Sequence, residues 1–229
     1  MIKTLTCTAV AVALAGAATA AQQRDISGTW ELPLDGRRVP TARLAPGVTP
    51  AVLDDVAAKD ARSIRWCLPL GMPFTMGGAH GRPLEIRQGS RYVTIVAEST
   101  LAPVRYLYLT RSSHINKEEF EPTTSGDSIA RWEGDTLLVD TVGFSGTKGM
   151  LALPGGGFRT ETTHLTERYR LLNNGSILSV TFTWEDPAVF LAPHTYEYRY
   201  QRLPARYEPR PPLPCDAFDQ SRVAFLEQR

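Results

Sequence analysis

The chain is poor in the features that usually announce chemistry. It holds three cysteines and four histidines, with no CxxC pair, no HExxH, no H-x-H and no paired carboxylate spacing. Those absences remove the familiar zinc and redox patterns, so no metal or cofactor is expected. No GxSxG elbow is present, which excludes a serine hydrolase of that type. The GGGF run at 155–158 lies between Pro154 and Arg159 in loop-like text, not between a strand and a helix. It reads as a turn, without the context of a dinucleotide cradle. Charge of one sign is also lacking. A net charge of +1 gives no electrostatic reason to expect nucleic acid or an anionic membrane as partner.

Long apolar runs are confined to the first residues, MIKTLTCTAVAVALAGAATA. One early lysine, a short apolar run and a small-residue Ala-Thr-Ala ending form the layout of a cleaved secretory signal over residues 1–20. The run is short for a membrane span, and Thr-Leu-Thr-Cys is a poor lipoprotein box. The expectation is an exported protein without a membrane anchor, with residues 21–229 forming one domain and a proline-rich tail at 204–229. Cys67 and Cys215 remain after cleavage, and an oxidising compartment favours a structural bridge between them.

Helical text is scarce too. TPAVLDDVAAKDAR reads as a short helix with Thr49 as N-cap and Pro50 in its first position. The tail segment from Cys215 suggests a second, terminal one. Elsewhere the pattern is short β segments between turns. A first strand is expected within Asp25–Leu32, then strands at Ile64–Leu68, Leu84–Gln88, Tyr92–Ala97, Val104–Leu109, Ser128–Glu133, Thr136–Thr141, Thr162–Leu172, Ser176–Glu185 and Thr195–Leu203.

Two hairpins have a definable register. A Gly134-Asp135 turn pairs Glu133 with Thr136 and Trp132 with Leu137. That sets Ala130, Trp132, Leu137 and Val139 on one face and a diagonal Arg131–Asp140 ion pair on the other. An Asn174-Gly175 turn pairs Leu171 with Leu178, Tyr169 with Val180, Glu167 with Phe182 and Leu165 with Trp184. These residues share a face because side chains alternate along a strand. The opposite face is polar throughout, with His164 across from Glu185. In the last strand, His194, Tyr196, Tyr198 and Tyr200 line one face. About nine short strands, mostly joined by hairpins, predict an all-β, antiparallel barrel.

The Gly28-Thr29-Trp30 triplet on the first strand resembles the G-x-W start of lipocalins and related calycin barrels. That resemblance implies a late arginine packed on Trp30, either Arg199 or Arg202. WCLPLGMP, GDSIARWEGDTLLVDTVGF, HLTERYR and WEDP resemble the signature of a broad group of exported bacterial proteins, recognised by motifs such as SIGRWEGDTLVVDT and HVVERF. That second resemblance brings no functional residues with it. GGAHGRPLEI and SSHINKEEFEP depart from the group's pattern and read as loop differences that tune a ligand.

Glu167 is the sharpest candidate for chemistry. A carboxylate in an apolar wall is expected to hold its proton more tightly, which suits a general acid or base. The opposing reading is a structural pair with a buried arginine or tyrosine. His114 lies in a loop, His194 begins the tyrosine stripe, and His80 sits in a Gly-rich loop able to approach a ligand closely. The expectation is a cavity lined by Tyr169, Phe182, Trp184, Tyr196, Tyr198 and Tyr200 that takes a small apolar or aromatic molecule. In one reading it is a cofactor-independent lyase or isomerase. Glu167 moves a proton with His114 or His194 as partner, and tyrosine hydroxyls stabilise a developing oxyanion. In the alternative it is a non-catalytic lipocalin-like carrier; an interaction module working through the proline-rich tail is a third reading. The sequence carries no indication of oligomeric state.

Overall fold

The computed structural model describes residues 25–77, 82–116, 118–209 and 215. Alternating apolar and polar residues build the strands, because alternation lets one face dry out while the other stays wet. In chain order they are β1 (Gly28–Glu31), β2 (Arg37–Arg38), β3 (Leu84–Gln88), β4 (Tyr92–Ala97) and β5 (Arg105–Tyr108). There follow β6 (Asp127–Glu133), β7 (Thr136–Val142), β8 (His164–Leu172), β9 (Ile177–Glu185) and β10 (His194–Arg202). The order is β1-β3-β4-β5-β6-β7-β8-β9-β10, and β1 pairs back onto β10. The sheet therefore closes into a barrel with no free edge among these nine strands. The two-residue β2 adds to β10 at Glu197 and Tyr198.

All these pairings are antiparallel but one. β5 and β6 run parallel, through only Leu107↔Ser128 and Tyr108↔Ile129. A parallel step needs a crossover connection. Here residues 109–126 supply it, and this seam, like β1–β10, is held by two residue pairs.

Both hairpins keep the register expected from sequence. Glu133 faces Thr136 across Gly134, whose φ is 62°. Glu167 faces Phe182 and Leu165 faces Trp184. At the second turn an Asn174-Gly175 turn is expected to pair Asn173 with Ser176, but the ladder stops one pair earlier, at Leu172↔Ile177. Asn173, Asn174 and Gly175 all turn with positive φ (50°, 53° and 82°), the left-handed conformation that Asn and Gly tolerate best.

The segment 64–68 is a correction. It continues the helix α1 (Pro50–Arg65), which runs beyond the expected end into a turn. Thr49 Oγ1 accepts from the backbone N–H of Val52, as an N-cap should. Cys67 and Cys215 are bridged, tying α1 to the tail across a sequence separation of 148. In the chain-entropy model a loop of that length contributes roughly 4–5 kcal/mol. We predict that a Cys67→Ser/Cys215→Ser variant loses stability by up to that amount in urea. A midpoint unchanged from wild type would show that the bridge adds nothing. The expected terminal helix lies outside the described residues.

One end of the barrel is closed by Trp30. Its indole N–H donates to the Ile26 carbonyl at 3.1 Å, and the Arg202 guanidinium lies 4.1 Å above its ring. Of the two arginines expected to meet Trp30, the structure selects Arg202. The opposite end is covered by residues 68–77 and 143–160. Gly71, at φ 64°, brings this cover against the chain at Thr124, where an added Cβ would sit 2.0 Å from the Thr124 carbonyl oxygen.

Candidate functional site

The barrel interior collects the expected residues but packs them against one another. Tyr169, Phe182, Trp184, Tyr196, Tyr198 and Tyr200 each retain 3% or less of their surface. Phe182 stacks on Tyr196 with ring centroids 5.0 Å apart, and the Trp184 N–H donates to the Tyr196 hydroxyl at 3.1 Å. A ligand cavity would leave these side chains with accessible surface. They line a dry core instead, and the expected aromatic cavity is corrected accordingly. Met72 and Met76 of the cover complete the filling, both essentially inaccessible. The Tyr200 hydroxyl donates to the Met76 carbonyl.

Glu167 sits in the middle of this core, fully buried. The Arg105 guanidinium meets it with two nitrogens, Nη1 at 2.8 Å from Oε1 and Nη2 against Oε2. The Tyr169 hydroxyl donates to Oε1 at 2.8 Å. Arg105 Nη2 also donates to Ser128 Oγ at 3.1 Å and Thr141 Oγ1 at 3.0 Å. Burial on its own would lower the Arg105 pKa, but the Glu167 charge and its hydrogen bonds outweigh it, and the net shift is upward. Burial, and then the neighbouring Glu167 charge, push the Tyr169 phenol well above its ordinary value. The Arg105 fork and the Glu167 carboxylate thus form a bidentate pair, the strongest geometry for such a bond. Both carboxylate oxygens are engaged by Arg105, and Oε1 by Tyr169 as well. The structure builds the pair with a buried arginine and tyrosine that the sequence offered as the opposing reading.

None of the described residues bonded to Glu167 is a histidine, so the expected acid–base partnership is not formed. His194 lies on the interior face, but its Nε2 donates to the Pro154 carbonyl at 2.6 Å and its ring stacks on Phe190. His114 stands on the outer wall. His80 lies outside the described residues.

The outer wall beside the seam holds the second constellation, and the histidine at its centre was among the sequence candidates. His114 Nδ1 is 3.0 Å from Asp127 Oδ2, and its Nε2 is 3.0 Å from Asp140 Oδ1. His164 Nε2 meets the same Asp140 oxygen at 3.0 Å, and its Nδ1 lies 3.4 Å from Glu185. The expected His164–Glu185 pair is therefore present. The expected Arg131–Asp140 pair is not: Arg131 turns to Glu133 at 2.8 Å, because the histidines already claim Asp140. Arg111 bonds the other Asp127 oxygen and lies 3.9 Å over the Tyr108 ring. Burial alone would raise the Asp127 pKa. Hydrogen bonds from Arg111, His114 and the Ile115 backbone N–H outweigh it and hold the carboxyl below its usual range.

A cleft of about 330 Å³ opens at this seam, between residues 109–112 and Ile129–Arg131. Apolar groups come from Leu109 and Ile129, donors from Arg111 and Arg131, and hydroxyls from Thr110 and Ser112, with inward-facing Ala130 at its floor. Sequence reasoning missed this site. Its one visible signal was the parallel step, in which a short strand is followed by a long connection before the next. Neighbouring Tyr92 and Tyr106 stand exposed on the outer faces of β4 and β5, their rings packed edge to face at 5.3 Å.

The class the fold defines is a closed β-barrel with a filled interior. Among solved structures, the chain is similar to the fluorescent protein UnaG in its wild-type form, with a TM-score of 0.37 and 14% identity over 77% of this chain and 96% of that one. Two single-residue variants of UnaG give TM-scores of 0.38 at 14% and 13% identity, covering 77% and 78% of this chain and 94% and 96% of theirs. No family model matches the chain, and no curated protein does.

Proposed function

We propose that this is an exported small-molecule-binding barrel that acts by binding, and that its ligand sits in the seam cleft rather than inside the barrel. The observation carrying this reading is the contrast between the two places. The interior aromatics have almost no accessible surface, whereas the cleft is open, part apolar and edged with hydrogen-bond donors, the mixture typical of ligand sites. Export rests on the N-terminal signal pattern and on the resemblance to exported bacterial proteins.

Acid–base turnover, as a lyase or isomerase, is the second reading. What favours it is the His114–Asp127 pair, in which a carboxylate orients an imidazole as a general base requires. Against it, the other nitrogen of His114 is engaged by Asp140, so substrate would have to displace a carboxylate.

The test is recovery of small molecules from a native extract by the immobilised protein, identified by mass spectrometry, beside an Ile129→Trp variant that fills the cleft. A compound retained by the wild type and lost by the variant supports the reading. Equal retention by both proteins refutes it.

A further inference from the structure

We infer that the seam cleft selects a small aromatic or cyclic carboxylate, an inference that rests on the cleft being the ligand site. The argument is a count of donors and acceptors. Asp127, the buried carboxylate beside the cleft, already accepts from Arg111, from the His114 ring and from the Ile115 backbone N–H. It has little capacity left for a ligand.

The donors are in surplus. Arg111 spends one terminal nitrogen on Asp127, and its buried Nε has no hydrogen-bond acceptor among the described residues. The Arg111 side chain is still 25% exposed and lines the cleft, so the residue is reachable by a ligand there. Among the described residues Arg131 is paired with Glu133 alone, through side chains 63% and 41% exposed. Exposed pairs of this kind contribute little and exchange partners readily. Thr110 and Ser112 add two hydroxyls. A ligand matching this rim carries acceptor oxygens and negative charge, and a guanidinium binds a carboxylate with a matching fork.

The rest of the cleft is apolar. Leu109 and Ile129 offer contact to a compact hydrocarbon body. The Tyr108 ring beneath Arg111 holds the guanidinium plane in place, so less freedom is lost when an anion binds. Arg111 is thus a positioned anchor and Arg131 an adjustable one.

The probe is benzoate, with benzamide as its uncharged counterpart, titrated into protein labelled at its Ile and Leu methyl groups and followed by NMR. Benzoate is expected to shift the Ile129 and Leu109 methyls saturably, with benzamide binding about tenfold more weakly. Arg131→Gln, an exposed and fold-neutral change, is expected to weaken benzoate by about tenfold and leave benzamide unchanged. Equal binding of the two probes at Ile129 would overturn the carboxylate inference while leaving the cleft as the site. Benzoate shifts confined to methyls outside the cleft, with Ile129 silent, would overturn both.

Discussion

Replacing Glu167 with glutamine is expected to destabilise the protein by about 3–5 kcal/mol, because it strands the Arg105 charge in a dry core. Arg105 is 2% exposed and has no other carboxylate among its bonded partners. The amide keeps the shape of the carboxylate but not its charge, so packing changes little and electrostatics account for the loss. A paired Arg105→Met/Glu167→Leu variant should recover most of it, since an apolar core of similar volume needs no compensation. Urea denaturation of the two variants decides the matter. If Glu167→Gln were as stable as the wild type, the carboxylate would not be neutralising Arg105 in the fold, and a functional role for it would return. If the double variant were no better than the single one, the polar groups of Ser128 and Thr141 would be stabilising more than the ion pair itself.

This pair also shows where sequence reasoning succeeds and where it stops. The interior position of Glu167 follows from a hairpin whose two strands are adjacent in the chain, so alternation and one turn fix it. Arg105 is on the other side of a longer route. It belongs to the four-residue strand β5, where Arg105 and Leu107 face inward while Tyr106 and Tyr108 face out. Read alone, that strand suggests the reverse, because two tyrosines look more like core than an arginine does. Only the ladder settles it: Arg105 pairs with Ile95, which is itself buried. A buried Glu demands a cation, but which of many arginines supplies it depends on barrel closure, a non-local event.

The seam cleft was hidden for a related reason. Its two walls come from residues about 20 positions apart, joined by a connection with no periodicity. The row of His114, Asp140 and His164 needs β7, β8 and a loop to meet, while sequence alone offers Asp140 an equally plausible partner in Arg131. Cross-strand neighbours within one hairpin were legible. Loop residues brought onto a strand face were not.

The cover over the barrel end provides the second large effect, through Arg159. This side chain is fully buried and donates to four backbone carbonyls: Met72 at 2.8 Å, Met150 at 3.1 Å, Lys148 at 2.9 Å, and Ser145. Burial lowers its pKa to about 10, with the Asp60 charge acting the other way. Asp60 in turn accepts from the backbone N–H groups of Leu151 and Ala152 at 2.7 and 3.1 Å, which fastens helix α1 to the same loop. Arg159→Leu would keep the apolar stem and leave four carbonyls without this donor. At roughly 1–3 kcal/mol for each buried group left unpaired, the expected loss is on the order of 4 kcal/mol or more. Lysine should not rescue it, since three donors on a point charge cannot replace a planar fork. The loss should appear first as faster hydrogen exchange at Met72, Thr75 and Met76, whose backbone N–H groups bond within or beside the cover, with slower changes at β9 and β10. Uniform exchange across the whole barrel would mean that Arg159 supports the global fold, and that the cover has no separate stability of its own.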